Sequence, residues 1–281
     1  MNKIIFLGLL LIILFIVIRS NGNLKENFKN IPQKKNIFDK DLVIDLDGGM
    51  CNKIRTLLGF YYLAKINKVK LYALWENSPE CPGNYEDLFR PLENVIIIKD
   101  PGNIKQLNNF HDLGTLNDFI PWNFGVPASK HFQFYKNLKI TDKLKQRILF
   151  FINNHLKGRP SLGLHIRRTD LVNYKERLKL KLQDDEYYQN EINKFLKKNV
   201  NGVIYLATDH NSTQSYYKNI YYNKLLYYDV IPINDNLRKT ELSHGLIDII
   251  ILSKCSKFIG TDKSSFSHMV DFFKKYHQNI V

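Results

Sequence analysis

The sequence predicts an α/β fold in two halves, each with a parallel sheet, facing one another across a cleft. Three observations carry this. Short apolar runs of strand length alternate with longer segments of helical spacing. The alternation occurs twice along the chain, before and after residue 140. Strand-to-helix turns rich in Gly, Asp and small hydroxyl residues punctuate both series. The 281 residues, 44% of them hydrophobic and 13% aromatic, suffice for a large core and exclude a mostly disordered chain.

The first series begins with a strand at Leu42 to Leu46, followed by Gly48 and Gly49. Asn52 to Ile66 has Ile54, Leu57, Leu58, Tyr61, Tyr62 and Ala64 at helical spacing, and strands are expected at Val69 to Leu74 and Val95 to Ile98. From about 100 to 140 the pattern is irregular, with Phe110, Trp122 and Phe134 read as loop aromatics. The second series is expected to place helices at Thr141 to Leu156, Asp185 to Lys198, from near Ser212, Thr240 to Cys255 and Ser264 to Tyr276. Its strands are Leu162 to Ile166, Val203 to Ala207, Leu225 to Val230 and Lys257 to Gly260. Strand, helix, strand at this pitch makes two Rossmann-like halves, residues 41–140 and 141–281.

Ahead of them Ile4 to Ile18 is an unbroken apolar run between Lys3 and Arg19. As a helix it spans roughly 22 Å, short of a hydrocarbon core of about 30 Å unless the flanking cations snorkel. Residues 1–20 are read as a single-pass membrane anchor, with a cleaved signal peptide as the alternative because Ser20-Asn21-Gly22 offers a cleavage site. Residues 21–40, polar and rich in Lys and Asn, read as a stem. Orientation stays open: Arg19, Lys25, Lys29, Lys34 and Lys35 follow the run, which by the positive-inside rule keeps the body in the cytoplasm.

The net charge of +14, from 41 basic and 27 acidic residues, is scattered lysine without a dense basic arm, so no nucleic-acid partner is expected. Cys51, Cys81 and Cys255 are too few for a disulfide scaffold or zinc site, leaving three thiols or one Cys51–Cys81 bridge.

In an open parallel sheet ligands sit beyond the carboxyl ends of the strands, and four strand ends here are chemically unusual. Asp45-Leu46-Asp47-Gly48-Gly49-Met50-Cys51-Asn52-Lys53 puts two glycines where a backbone can approach a ligand, at a helix amino end that favours an anion. His165-Ile166-Arg167-Arg168-Thr169-Asp170 carries adjacent arginines, one able to meet a phosphate while its neighbour points the other way and Asp170 orients one of them. Ala207-Thr208-Asp209-His210 ends a further strand, with Asp209 or Asn211 able to cap the next helix. The sequon Asn211-Ser212-Thr213 lies too near the cleft to be expected to carry a glycan. Gly260-Thr261-Asp262-Lys263-Ser264-Ser265-Phe266-Ser267 offers N–H and O–H groups for a phosphate cradle.

In order and spacing these segments, with SHGLIDIIILSKC between the last two, resemble the GDP-fucose-dependent fucosyltransferase superfamily. That group includes α1,2-, α1,6- and protein O-fucosyltransferases and the rhizobial nodulation enzymes. HIRRTD is the most specific piece, and GGMCNKIRTLLGFYYLAK with PECPGNYEDLF looks most like its small members. The resemblance runs from Asp45 to Phe272, with little contributed by 100–155. It implies a GT-B-like fold with acceptor contacts mostly from the first half and the GDP-sugar on the second.

By that resemblance Arg167 binds the β-phosphate and stabilises the departing GDP, and Arg168, the second arginine of the motif, is counted with it as catalytic. His165 and Asp248 approach the guanine, Ser264 and Ser265 hold phosphate, and Gly48, Gly49 and Asn52 face the donor, with Asp170 and Asp209 also counted on the donor side. It implies inversion, no metal or other cofactor, a glycan or protein acceptor, and a type II Golgi or endoplasmic-reticulum location in a eukaryotic host. GTDK before the serines departs from the pattern, and the body is small for the superfamily. Asp47, Asp170 and Glu176 are candidates for a general base. Two other readings compete. One is a magnesium-dependent phosphatase of the haloacid-dehalogenase type, with Asp45 as nucleophile and Asp47 as acid/base, the same pair also resembling the metal-binding DxD of a GT-A enzyme. The other is a binding module without turnover.

Overall fold

The computed structural model describes residues 38–116, 133–169, 182–230 and 241–281. Two four-stranded sheets, parallel throughout, organise the chain from Phe38 onward. The first contains β1 (Asp41–Leu46), β2 (Leu71–Leu74), β3 (Val95–Ile98) and β4 (Phe110–Leu116), in the order β3-β2-β1-β4. The second contains β5 (Ser161–Ile166), β6 (Val203–Thr208), β7 (Leu225–Leu226) and β8 (Lys257–Ile259), in the order β7-β6-β5-β8. The two orders are the same. Each has its topological switch point beside its first strand, between β1 and β4 and between β5 and β8, where an open sheet leaves a crevice.

The alternation of strand side chains sorts the core. On β5, Leu162, Leu164 and Ile166 pack with Tyr188, Ile192 and Tyr217 of α4 (Asp185–Lys198) and α5 (Asn211–Tyr221). The intervening Gly163 and His165 face α6 (Leu242–Lys254) and α7 (Ser265–Tyr276). The run Ile249 to Leu252 is buried on every side, because α6 lies between the second sheet and other helices. A second, larger core is shared by both halves. It joins Ile54, Leu57 and Leu58 of α1 (Met50–Asn67) to Ile249 and Ile250 of α6 and to Val270 and Phe273 of α7.

The last helix returns to the first half. Tyr135, in a turn at Gln133–Asn137, sits edge-on to Phe273 and tilted against Phe272. Beyond the helix His277 Nε2 hydrogen-bonds the Leu138 carbonyl. A short helix, α2 (Tyr85–Leu88), and α3 (Asp142–Phe151) complete the described α-helices.

Three expectations need correction. Residues 110–116 form β4, paired along β1, and not a loop. Their sequence Phe-His-Asp-Leu-Gly-Thr-Leu has no apolar run, because this exposed edge strand buries little, and its register shifts opposite Val43 to Asp45. The strand expected at Leu225 to Val230 keeps only Leu225–Leu226, its pairing with β6 ending there. The helix from Thr141 widens after Phe151 into a π turn over Ile152–Leu156. The other helices and strands lie within a few residues of expectation.

Cys51, Cys81 and Cys255 are buried thiols, so the bridged alternative does not hold. In the sequon, Asn211 opens α5 and the buried Thr213 hydroxyl is bonded to His210 Nδ1 at 3.0 Å. The apolar run 4–18, the stem to residue 37, Trp122, Asp170 and Glu176 lie outside the described residues. Among the described residues no helix is long and apolar enough to cross a membrane.

Gly260 ends β8 where α7 passes close by. A Cβ there would sit 2.5 Å from Ser267 Oγ and 2.7 Å from Ser267 Cβ. Gly260→Ala is expected to lower stability by about 1–3 kcal/mol through overpacking, read as a fall in thermal midpoint.

Candidate active site

Unusual chemistry gathers beyond the carboxyl ends of β5, β6 and β8. Main-chain pairing of β5 with β8 stops at Leu164 opposite Ile259. Beyond it the Thr261 hydroxyl donates to the His165 carbonyl at 2.9 Å and accepts from the Arg167 N–H at 3.0 Å. On the other flank Asp209, at the end of β6, accepts from the Arg168 N–H at 2.8 Å and from the Thr169 hydroxyl at 2.6 Å. The same carboxylate lies 4.0 Å from Arg167 Nε. The loop after β5 is therefore strapped from both sides.

The two arginines part company. Arg168 donates to the Gln183 carbonyl and to Asp185 Oδ1, each at 2.9 Å, with its guanidinium 5.9 Å above the Tyr188 ring. Tyr217 OH donates to the same Asp185 oxygen at 3.0 Å. This side chain anchors the start of α4. Arg167, just beyond the carboxyl end of β5, is 16% exposed and keeps its Nε 4.0 Å from the Asp209 carboxylate.

His165 is buried, bonded through Nδ1 to Ser267 Oγ at 2.8 Å and stacked on Phe266 with ring centroids 4.3 Å apart. Burial, with Arg167 nearby, holds its pKa down to about 3, so the ring is neutral. Ser264 occupies the N-cap position of α7, yet its hydroxyl makes no bond to the helix. That oxygen is fully buried and has no hydrogen-bond partner among the described residues. Leaving a buried hydroxyl unpaired costs about 1–3 kcal/mol, so the position fits a ligand oxygen. Ser265 opens the helix, half-buried, with no acidic residue in the first turn to compete for an anion.

The glycine turn of the first half lies near the start of α6. Gly48 has φ +79°, a conformation that favours glycine, and Gly49 caps α1. Asn52 accepts from Arg55 Nη2 at 3.2 Å. Met50 meets the amino end of α6, its Cε 3.5 Å from where a Cβ on Gly245 would lie, and Phe266 lies 4.0 Å from that same point. The glycine turn thus adjoins the His165–Phe266 stack. Asp45 and Asp47 accept local bonds: Asp45 Oδ2 from the Thr115 hydroxyl at 2.8 Å, and Asp47 Oδ1 from the Gly48 N–H at 2.6 Å. Among the described residues no three His, Cys, Asp or Glu side chains group as metal ligands.

Asp248 projects from α6 toward β6 and accepts from Tyr205 OH at 2.5 Å. Burial raises its pKa to about 7, with Asp229 adding to the effect. Thr261, Ser267 and Tyr205 were not singled out from sequence. Their roles depend on which strand lies beside β5, and the one available signal was the glycine-led run of hydroxyl residues after β8.

The pattern describing the GDP-fucose protein O-fucosyltransferase family matches residues 24–277. The chain belongs to that family. No individually curated protein matches it. Among solved structures, NodZ alpha-1,6-fucosyltransferase soaked with GDP-fucose aligns at TM-score 0.57 and 16% identity, over 83% of this chain and 92% of that one. NodZ from Bradyrhizobium aligns at TM-score 0.55 and 14% identity, over 83% and 92%. POFUT1 in complex with GDP aligns at TM-score 0.56 and 12% identity, over 84% and 96%. These establish a shared fold with parallel α/β sheets. Family membership makes the chain a fucosyltransferase-type glycosyltransferase and displaces the phosphatase reading of Asp45 and Asp47.

Two buried groups make stability depend on pH in opposite senses. The raised pKa of Asp248 gives a contribution that is full below about pH 4 and lost as pH rises through about 7. The lowered pKa of His165 gives one that is full above about pH 6.5 and lost as pH falls toward about 3. Asp248→Asn removes the first alone. Thermal melts should show the variant gaining on the wild type between pH 4.5 and 7, with no further gain above pH 8.

Proposed function

We propose that this glycosyltransferase transfers L-fucose from GDP-fucose to a glycan or protein acceptor, with inversion and without a metal ion. The observation that carries the reading is the occurrence together of Arg167, strapped at the end of β5 by Thr261 and Asp209, and the Ser264 hydroxyl at the amino end of α7, which has no partner among the described residues. Family membership supports the donor, as do the GDP-fucose and GDP complexes of the structural relatives.

In the reaction an acceptor oxygen forms a bond to the anomeric carbon as the bond from that carbon to the β-phosphate oxygen breaks. Negative charge accumulates on the leaving diphosphate. A guanidinium fixed in advance stabilises that charge more in the transition state than in the ground state. Arg167 takes this role. The Ser264 and Ser265 hydroxyls and the first N–H groups of α7 share the phosphate charge. Arg168 and Asp209 act through Arg167 by holding the loop after β5, and so are positioning residues.

His165 and Asp248 serve the guanine side, and Gly48, Gly49 and Asn52 the sugar and phosphates. Guanine N–H donors favour the ionised carboxylate of Asp248, so GDP should bind more tightly as pH rises from 6 to 8. The acceptor proton leaves to solvent or to a carboxylate among Asp47, Asp170 and Glu176.

Two measurements test this. GDP at about a hundred times its dissociation constant should stabilise the protein by about 2.7 kcal/mol in EDTA, with UDP and ADP doing little. Stabilisation by magnesium with phosphate analogues, and none by GDP, would count against the donor. Arg167→Ala should lower release of GDP from GDP-fucose by about a hundred- to a thousandfold with the thermal midpoint of the unliganded protein unchanged. Arg168→Ala should instead lower that midpoint.

A further inference from the structure

We infer that Lys53 is a positioning residue for transfer, clamping the glycine turn to the end of β2 and, through it, to the amino end of α6. The inference rests on the fucosyl-transfer reading above. Lys53 lies in the first turn of α1 and is only 1% exposed. Its ammonium donates to the Glu76 carbonyl at 2.7 Å and lies 5.5 Å from the centre of the Trp75 ring. Among the described residues its side chain meets a carbonyl and an indole face, and no carboxylate.

Two local rules are broken at this position. A cation sits at the positive end of a helix, and a charge is buried without an opposite partner. An apolar side chain would fill the space without that desolvation cost, so stability does not explain the lysine. Such conflicts concentrate where function sets the residue.

The contacts around Lys53 close into a ring. Its own N–H donates to the Gly49 carbonyl at 3.1 Å, which ties it to the glycine turn. Its ammonium reaches Glu76, and the neighbouring Trp75 donates from Nε1 to the Gly83 carbonyl at 3.1 Å. Gly83 packs on Leu242, the first residue of α6, whose Cβ would be 3.2 Å from a Cβ there. One turn further along α6, Gly245 packs on Met50, the first residue of α1. The ring therefore runs from the glycine turn through β2 to α6 and back, and Lys53 is the member that enters it through a charged group, Glu76 contributing its carbonyl. Severing it frees the turn that faces the sugar and leaves the nucleotide groups on the second sheet untouched.

The test compares full-length wild type, Lys53→Met and Lys53→Arg in the release of GDP from GDP-fucose with water as acceptor. GDP affinity and thermal midpoint are measured alongside. Lys53→Met should lower kcat by about ten- to a hundredfold, the cost of a misplaced reacting geometry. Its GDP affinity should fall by a much smaller factor, about threefold at most, because Arg167, Ser264, Ser265, His165 and Asp248 on the nucleotide side share no partner with Lys53 and only the glycine turn's part of the phosphate contact is loosened. Lys53→Arg, which keeps a donor for the Glu76 carbonyl, should recover most of the rate. If Lys53→Met does not fold, Trp75→Phe cuts the same ring by removing the indole N–H together with part of the ring under Lys53, and should lower kcat in the same selective way. Unchanged kcat, or kcat and GDP affinity falling together, would overturn the clamp. A wild-type protein that neither binds GDP nor releases it from GDP-fucose would overturn the donor reading first and the clamp with it, a failure seen before any substitution is compared.

Discussion

A single hydroxyl, that of Thr261, sets the geometry of the crevice. The ladder between β5 and β8 ends at Leu164 and Ile259, and the two chains must then diverge if anything is to fit between them. Divergence orphans the His165 carbonyl and the Arg167 N–H at a partly buried strand end, where unpaired backbone groups are expensive. Thr261 serves both, acting as one more rung made from a side chain. Its reach lets β8 turn away early, so that α7 presents its amino end to the space Arg167 borders. Asp209 does the matching work from β6.

The strands and helices with a clear period were legible in the sequence. Val95–Ile98 and Asp185–Lys198 lie where the sequence puts them, the first a short β-branched run with Ile98 buried and the second a helix that buries one face through Tyr188, Ile192 and Phe195. β4 was not legible, since Phe110–Leu116 is an edge strand with no fully buried side chain among those described, and its Asp and Gly interrupt any apolar run. Sequence likewise named the segments of the site but not the division of labour inside them. Arg167 and Arg168 are identical as letters. Only the placement of α4 beside one flank of β5 shows that Arg168 is occupied by Gln183 and Asp185. Thr261 needed knowledge that β8 crosses over to lie beside β5, which is a property of topology and not of spacing.

The polar groups gathered here burden the fold. His165 is kept neutral by burial, Asp248 is held against its ordinary ionisation, Lys53 is buried with a carbonyl in place of a carboxylate, and Ser264 keeps a hydroxyl unpaired. The compensation is apolar and lies elsewhere. α6 is buried over most of its length, and the shared core spans both halves. The rigid apolar scaffold is what lets the strained polar edge persist.

The return of the last helix to the first half has a consequence for how the chain is made. Phe273, His277 and Ile280 are needed to complete a core that starts at Phe38, and His277 finds its carbonyl partner 139 residues earlier. During synthesis the first sheet emerges long before those residues do and waits with an unfinished apolar surface. Its closure is a late, long-range event, so loss of a few carboxyl-terminal residues is felt at the opposite end of the polypeptide.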